Sequence, residues 1–178
     1  MDTKNLITEA INKRIDDLSK TVDLLKLLML QPIVIENIVV FKKNERISSK
    51  IPNEKGIYFF TAEQKDIEKL YDEFKKVREM ESKQGEVFAK LNTDIDLKNT
   101  DCIYVGSSND LQKRFVQHVE DCHKKTYAIK FYKWLPDGIK INFHYHCLNI
   151  EPDILQNIEE GLREIKNPIL GKSGKSSK

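Results

Sequence analysis

The chain has 178 residues, 39% of them apolar and 33% charged, and a net charge of +2. This composition suits one globular domain with a proper core, alone or with a helical extension, and excludes a disordered chain. Total charge does not point to a nucleic-acid partner, so basic residues serving one would have to gather on one face.

At the N-terminus no basic region precedes an apolar one, as a secretory signal would require. The longest apolar stretches, 24–30 and 33–41, are too short to span a bilayer. Three cysteines form no regular framework. Free thiols, a cytoplasmic location and no membrane partner are therefore expected.

Residues 3–30 predict a helix, with apolar side chains at Ile11, Ile15, Leu18, Val22, Leu25 and Met29. That four-three alternation is a coiled-coil seam lasting about two and a half heptads. Two readings stand: the helix packs on its own domain, or it self-associates into a homodimer. Pro32 breaks it. Residues 33–41, rich in Ile and Val, predict a strand, and 42–55 a polar loop. Residues 1–46 are accordingly read as a helix-and-strand extension, with the main domain beginning at Ile47.

Residues 56–60 predict a buried strand. Residues 62–80 predict a helix with Ile67, Leu70, Phe74 and Val77 on one face. A second strand is expected over 102–105, then a helix over 109–119 with Leu111, Phe115 and Val119 on one face. Residues 129–135 and 139–148 are strand candidates around the turn Pro136-Asp137-Gly138. Residues 154–165 form an amphipathic helix ended by Asn167-Pro168, and 172–178 read as a flexible basic tail. The expected fold is a small α+β domain, a mixed or antiparallel sheet flanked by helices, with the N-terminal helical extension.

One stretch carries chemistry. A strand ends in Gly106-Ser107-Ser108, and a helix follows on which Arg114 and His118 share a face one turn apart. A planar cation beside a histidine suits a phosphate, and an acid elsewhere could hold a divalent metal for phosphoryl transfer. The pair alone is weak, because solvated helix faces carry such pairs by chance.

Taken together, three segments say more. Gly56-Ile57-Tyr58 comes first. Tyr104-Val105-Gly106 follows, then Ser107-Ser108, Leu111, Lys113-Arg114 and His118. Glu159-Glu160-Gly161-Leu162 precedes Pro168 on a later helix. In this order they resemble the GIY-YIG nuclease superfamily, with Val105 for the usual Ile. The resemblance spans residues 51–171 and implies the GIY-YIG fold over 47–171. It further implies a divalent-metal-dependent endonuclease that hydrolyses DNA phosphodiester bonds, using one Mg²⁺ or Mn²⁺; RNA stays open as a substrate. Tyr58 is the implied general base, with His118 as its helper because a tyrosine is a poor base at its usual pKa near 10. Tyr104 would hydrogen-bond in the site or orient the water. Arg114 would bind the scissile phosphate, with Ser107, Lys113 and Asn167 as further substrate contacts. Glu159, three residues before Leu162 and nine before Pro168, would hold the metal, and Glu160 is the fallback.

The match departs from the family pattern in two places. Residues 59–103 separate the two tyrosines where the family has a short hairpin, so 62–99 is read as a helical insertion that contacts substrate, contacts a partner or packs. The family asparagine three residues after the proline is here Gly171, with Asn167 as a displaced substitute. That change favours the alternative of a catalytically weak or inactive nucleic-acid-binding module. A zinc site built from Cys122-His123 and His144-Tyr145-His146-Cys147 matches no standard spacing. His144 and His146 instead read as polar residues on one side of a strand, or as residues facing DNA.

Overall fold

The computed structural model describes residues 3–29, 36–40 and 47–171. The chain falls into two compact units, Met1–Val34 and Ile35–Lys178. The first contains helix α1 (Thr3–Met29), as the heptad spacing predicts. Along its seam Ile11, Ile15, Leu18, Val22 and Met29 are exposed and Leu25 is half-buried. Residues 30–35, including the end of the expected helix and the breaker Pro32, lie outside the described residues.

The second unit is built on four strands, β1 (Glu36–Val40), β2 (Gly56–Ala62), β3 (Cys102–Ser108) and β4 (Ile141–Cys147). They form one antiparallel sheet in the order β1-β4-β2-β3. The helices are α2 (Gln64–Ser82), α3 (Leu111–Val119), α4 (Phe131–Trp134) and α5 (Pro152–Lys166). The expected α+β architecture is therefore present, with the sheet antiparallel rather than mixed. Strand β1, which the sequence reading joins to the N-terminal extension, pairs with β4 from Glu36 opposite Tyr145 to Val40 opposite Ile141. It thus belongs to the sheet. Residues 41–46 of the expected polar loop are outside the described residues.

Register fixes what faces what. Tyr58 lies opposite Gly106 and Tyr145, and Phe60 opposite Tyr104 and Phe143. Opposite residues share a face, so these form one side of the sheet. Helices α3 and α4 cover that side: Phe60 contacts the rings of Phe115, His118 and Phe131. Helix α5 packs on β3 and β2. Its contact through Ser107, the neighbour of Gly106, places it on the opposite side. Gly56 is required where β2 is hemmed in by β4 and α3, because a Cβ there would strike the His146 carbonyl and Leu111.

The helices follow their local chemistry. Asp110 caps α3 by accepting from the Lys113 N–H at 2.8 Å, which satisfies one of the helix's orphan donors. Leu111, Phe115, His118 and Val119 are its buried stripe. Pro152 opens α5, where its missing N–H costs nothing. Asn167 closes it in the left-handed conformation, φ 47°, which asparagine tolerates, and Pro168 then blocks further helix. Helix α2 buries Ile67, Leu70 and Phe74, and Phe74 meets Phe88 and Trp134 edge-on.

One expected element is different in kind. Residues 129–135 read as a strand but hold Lys130 in the left-handed region, φ 60°, followed by α4. Tertiary contacts override the apolar, aromatic-rich pattern here. Lys130 is fully buried, its Nζ donating to Glu86 at 2.8 Å and to the Lys124 carbonyl at 3.1 Å. The Trp134 indole N–H donates to the Ile129 carbonyl at 2.8 Å, closing the turn on itself.

Candidate active site

Tyr58 is held from β2, Tyr104 from β3, and Arg114 and His118 from α3. The fold brings these four together. The Tyr58 hydroxyl rests over Gly106, where any Cβ would collide with it. The second glycine of the paired motifs is therefore a steric requirement of the first motif's tyrosine. Tyr58 and Tyr104 stack with centroids 6.2 Å apart, and His118 lies 5.0 Å from the Tyr104 ring and 5.6 Å from the Tyr58 ring.

The hydrogen bonds around Tyr58 settle proton positions. The backbone N–H of Ile129 donates to His118 Nδ1 at 3.0 Å. That nitrogen is thus the acceptor, and the neutral ring carries its proton on Nε2. His118 Nε2 is 2.9 Å from Tyr58 Oη, so the histidine donates to the tyrosine. Arg114 Nε–H also donates to Oη, at 3.0 Å. Tyr58 Oη accordingly receives two donors. The expected helper arrangement, with His118 drawing a proton from Tyr58, needs Nε2 as an acceptor and has the direction reversed.

Electrostatics agree with that direction. Burial, with the charge of Arg114 added, holds the His118 pKa well below its usual value, so the ring is neutral. Burial, reinforced by Tyr104, pushes Tyr58 well above its usual pKa, while Arg114 pulls it back. Glu159 also raises it slightly, so its carboxylate is close enough to be felt at the tyrosine.

Arg114 is half-buried and keeps its charge. Nη1 donates to Gln117 Oε1 at 2.7 Å and Nη2 approaches Tyr104 Oη at 3.5 Å. All of its partners are neutral, and among the described residues no carboxylate pairs with it. Two of the five guanidinium N–H groups remain for an anion.

Glu159 sits on α5 across β3 from Tyr58. Its Oε2 accepts from Ser107 Oγ at 2.5 Å, and Oε1 pairs with Arg163 at 3.0 Å, one turn along the helix. These residues border a cavity of about 340 Å³ together with Ser108, Asn109 and Gln156. Glu160 is exposed and accepts from Gln156 at 3.2 Å. Among the described residues no group of three His, Cys, Asp or Glu could share a metal ion. One carboxylate beside hydroxyl and amide oxygens does fit Mg²⁺ or Mn²⁺, hard ions of which Mg²⁺ keeps most of its waters and takes few carboxylates. Arg163 is a residue that the sequence reading passed over. It is 5% exposed, and its Nε has no hydrogen-bond partner.

The remaining expected residues lie apart from the Tyr58 cluster. Lys113 is exposed at the start of α3. Asn167 is exposed and serves as the cap of α5, and no bond links it to the tyrosines. Gly171 does reach the site: a Cβ there would lie 3.0 Å from the Tyr104 ring. The tyrosine fills the space that an asparagine side chain would need. His144 bonds Thr61 Oγ1 at 2.9 Å and stacks on Phe59 at 4.5 Å.

Residues 95–149 match the GIY-YIG catalytic domain. No curated protein and no solved structure gives a significant match. The matched stretch begins after α2 and contains β3, α3, α4 and β4. Gly56-Ile57-Tyr58 and Glu159 lie outside it, separated by residues 59–94 on one side and the approach to α5 on the other. Strand pairing brings the separated parts together, since β2 sits between β3 and β4 with Tyr58 against Gly106. The matched segment, and the antiparallel sheet that its strands build with β2, support a GIY-YIG nuclease superfamily domain in this chain.

Proposed function

We propose that the protein is a divalent-metal-dependent endonuclease that hydrolyses DNA phosphodiester bonds. The observation that carries this reading is Arg114, a cation without a carboxylate partner that already touches the hydroxyl of Tyr58. A phosphate drawn to its free N–H groups would bring phosphorus beside a candidate base. Tyr58 is 1% exposed, so the reading requires the guanidinium to shift outward onto the phosphate and admit a water. With both neutral-state lone pairs occupied by donors, Tyr58 acts from its phenolate form, which the Arg114 and His118 donors stabilise. The water oxygen bonds to phosphorus, its proton passes to Tyr58 Oη, and a bridging P–O bond breaks, the departing strand's oxygen leaving with the electron pair and taking a proton from solvent. Tyr104 orients the water, and Ser107 and Lys113 are further substrate contacts. Glu159, steadied by Ser107, would hold a single Mg²⁺ or Mn²⁺, which when bound neutralises charge on the phosphate.

The test is cleavage of supercoiled plasmid and of single- and double-stranded oligonucleotides with Mg²⁺, Mn²⁺ or EDTA. Wild type should cut only with metal, and Arg114→Ala and Glu159→Ala should lose cutting. No cutting by wild type of any DNA or RNA, with tight binding retained, would favour the second reading, a nucleic-acid-binding module. The observation behind that alternative is Gly171, against which Tyr104 occupies the place of the family amide.

We further propose homodimerisation through α1. Ile15 and Val22 fall at one seam position and Leu18 and Leu25 at the other, the β-branched and leucine pattern of parallel two-stranded coils. Light scattering should give twice the chain mass for the intact protein and one chain mass after removal of residues 1–30. An unchanged mass would remove this role.

A further inference from the structure

We propose that Lys90, delivered by the inserted segment, binds a phosphate of the nucleic-acid substrate at the Tyr104 rim of the cleft. The inference rests on the nuclease reading and adds a residue that belongs to neither family motif. Residues 81–92 are fastened to the domain at both ends. Glu81 and Glu86 pair with Lys133, and Glu86 with buried Lys130. The Val87 and Ala89 N–H groups donate to the carbonyls of Lys124 and Ala128. Farther along, Leu91 bridges Leu170 in antiparallel fashion, and the Asn92 N–H donates to the Ile169 carbonyl at 3.0 Å. The segment is thus pinned along the path from the His118 side of the site to the Gly171 side.

Between Glu86 and Asn92 the exposed residue is Lys90, flanked by buried Ala89 and Leu91. Its carbonyl accepts from the Gly171 N–H at 2.7 Å. The antiparallel bridge sets Lys90 across from Gly171. A Cβ at Gly171, where φ is +100°, would stand 3.0 Å from the Tyr104 ring, so Lys90 starts one chain away from the residue that abuts that ring. With neighbouring chains about 4.8 Å apart, the flexible lysine stem can carry its ammonium to the outer edge of Tyr104. Among the described residues no carboxylate pairs with Lys90, whereas Lys130 and Lys133, which fasten the same segment, are tied to glutamates. A lysine kept free of carboxylates next to the tyrosine that touches Arg114 is suited to a phosphodiester neighbouring the one under attack.

The experiment measures binding of a fluorescent 20-base-pair duplex in EDTA over a range of salt, together with metal-dependent cleavage, for wild type, Lys90→Ala, Lys90→Arg and Lys90→Glu. Losing one phosphate contact lowers the slope of log affinity against log salt by about 0.9. Lys90→Ala should show that drop and bind several-fold more weakly, Lys90→Glu should bind more weakly still, and Lys90→Arg should recover both quantities. The melting temperature should hold throughout, because the structural bond uses the Lys90 carbonyl. Wild-type affinity and slope in Lys90→Ala, or losses that follow a lowered melting temperature and are not recovered by arginine, would overturn the proposal. If wild type neither binds nor cuts nucleic acid, the nuclease reading fails first and this one with it, and the wild-type measurement alone distinguishes that case.

Discussion

Gly106 and Ser107 are adjacent in β3, yet the two halves of the site that they serve differ in nearly every physical respect. On the Gly106 side, Tyr58 and His118 are 1% and 0% exposed, and each polar atom of the pair meets a fixed partner. On the Ser107 side, Glu159 borders a cavity open to solvent, and its partners are one hydroxyl and one guanidinium. In the buried half the bonds that would do chemistry also hold the domain together. In the open half the two duties separate. Substitutions should therefore damage stability and turnover together on one side, and mainly turnover on the other.

The largest effect should come from Tyr58→Phe. It keeps the ring that packs against Phe60 and Phe143 and removes the proposed base. Single-turnover cleavage should fall by about 10²–10⁴. The variant also strands the Arg114 Nε–H and the buried His118 Nε2–H, at a cost of about 1–3 kcal/mol for the buried donor, which denaturant titration reads. Glu159→Gln is the partner experiment. It should lose about 10²–10³ in rate with a smaller drop in unfolding midpoint than Tyr58→Phe, since the amide oxygen can accept from Arg163 while its NH2 donates to the Ser107 hydroxyl, and the guanidinium left without a carboxylate borders the cavity. A Glu159→Gln protein as destabilised as Tyr58→Phe would break the comparison, because the open half would then be structural as well.

The uneven legibility of the two halves in the sequence has the same origin. The strand, turn and helix around Gly106 and Arg114 are local: Asp110 caps the helix three residues ahead of the N–H it binds, and Leu111, Phe115 and Val119 repeat at helical spacing. Both glycines of the paired motifs could be located from sequence, although the collision that each one avoids could not. The Ser107–Glu159 bond joins residues far apart in sequence, and nothing local marks Arg163 as the buried neighbour of Glu159. The direction of the His118 proton depends on the backbone N–H of Ile129, a residue that reads as part of a strand. That misreading arose because residues 129–135 are apolar and aromatic on both faces, while the lysine that sets the turn is buried against Glu86, far away in sequence. The path of residues 86–92 along the site leaves no periodic trace either, because its bonds run through the backbone.

The pH dependence of the rate sharpens the contrast further. Tyr58 must lose its proton to act as proposed, and its pKa is raised, chiefly by burial. The active fraction then grows about tenfold per pH unit until the pH reaches that pKa. Under single-turnover conditions at saturating metal, the rate should rise across the neutral and alkaline range without a plateau near 7. A plateau there would point to a group other than Tyr58 as the base.

The smallest expected effect concerns stability in mild acid, and it isolates the buried half. Burial, with Arg114 assisting, depresses the His118 pKa in the folded state. Above the unfolded histidine's pKa of about 6.5, both states are neutral and stability is at its plateau. As pH falls below that value, the unfolded chain binds a proton that the buried ring refuses. Stability must then decline by at most about 1.4 kcal/mol per pH unit from this one group, and the decline ends once the pH passes the depressed folded pKa. His118→Gln removes the titration while its amide can still offer one donor and one acceptor, so urea midpoints between pH 7 and pH 5 should fall less in the variant than in wild type. His144, half-buried and depressed for the same first reason, is unchanged in both proteins and cancels in the difference. Equal slopes would mean that the imidazole takes up its proton without disturbing the fold. The Ile129 N–H and the Tyr58 hydroxyl would then hold His118 less firmly than their distances imply, and the buried half would be as adaptable as the open one.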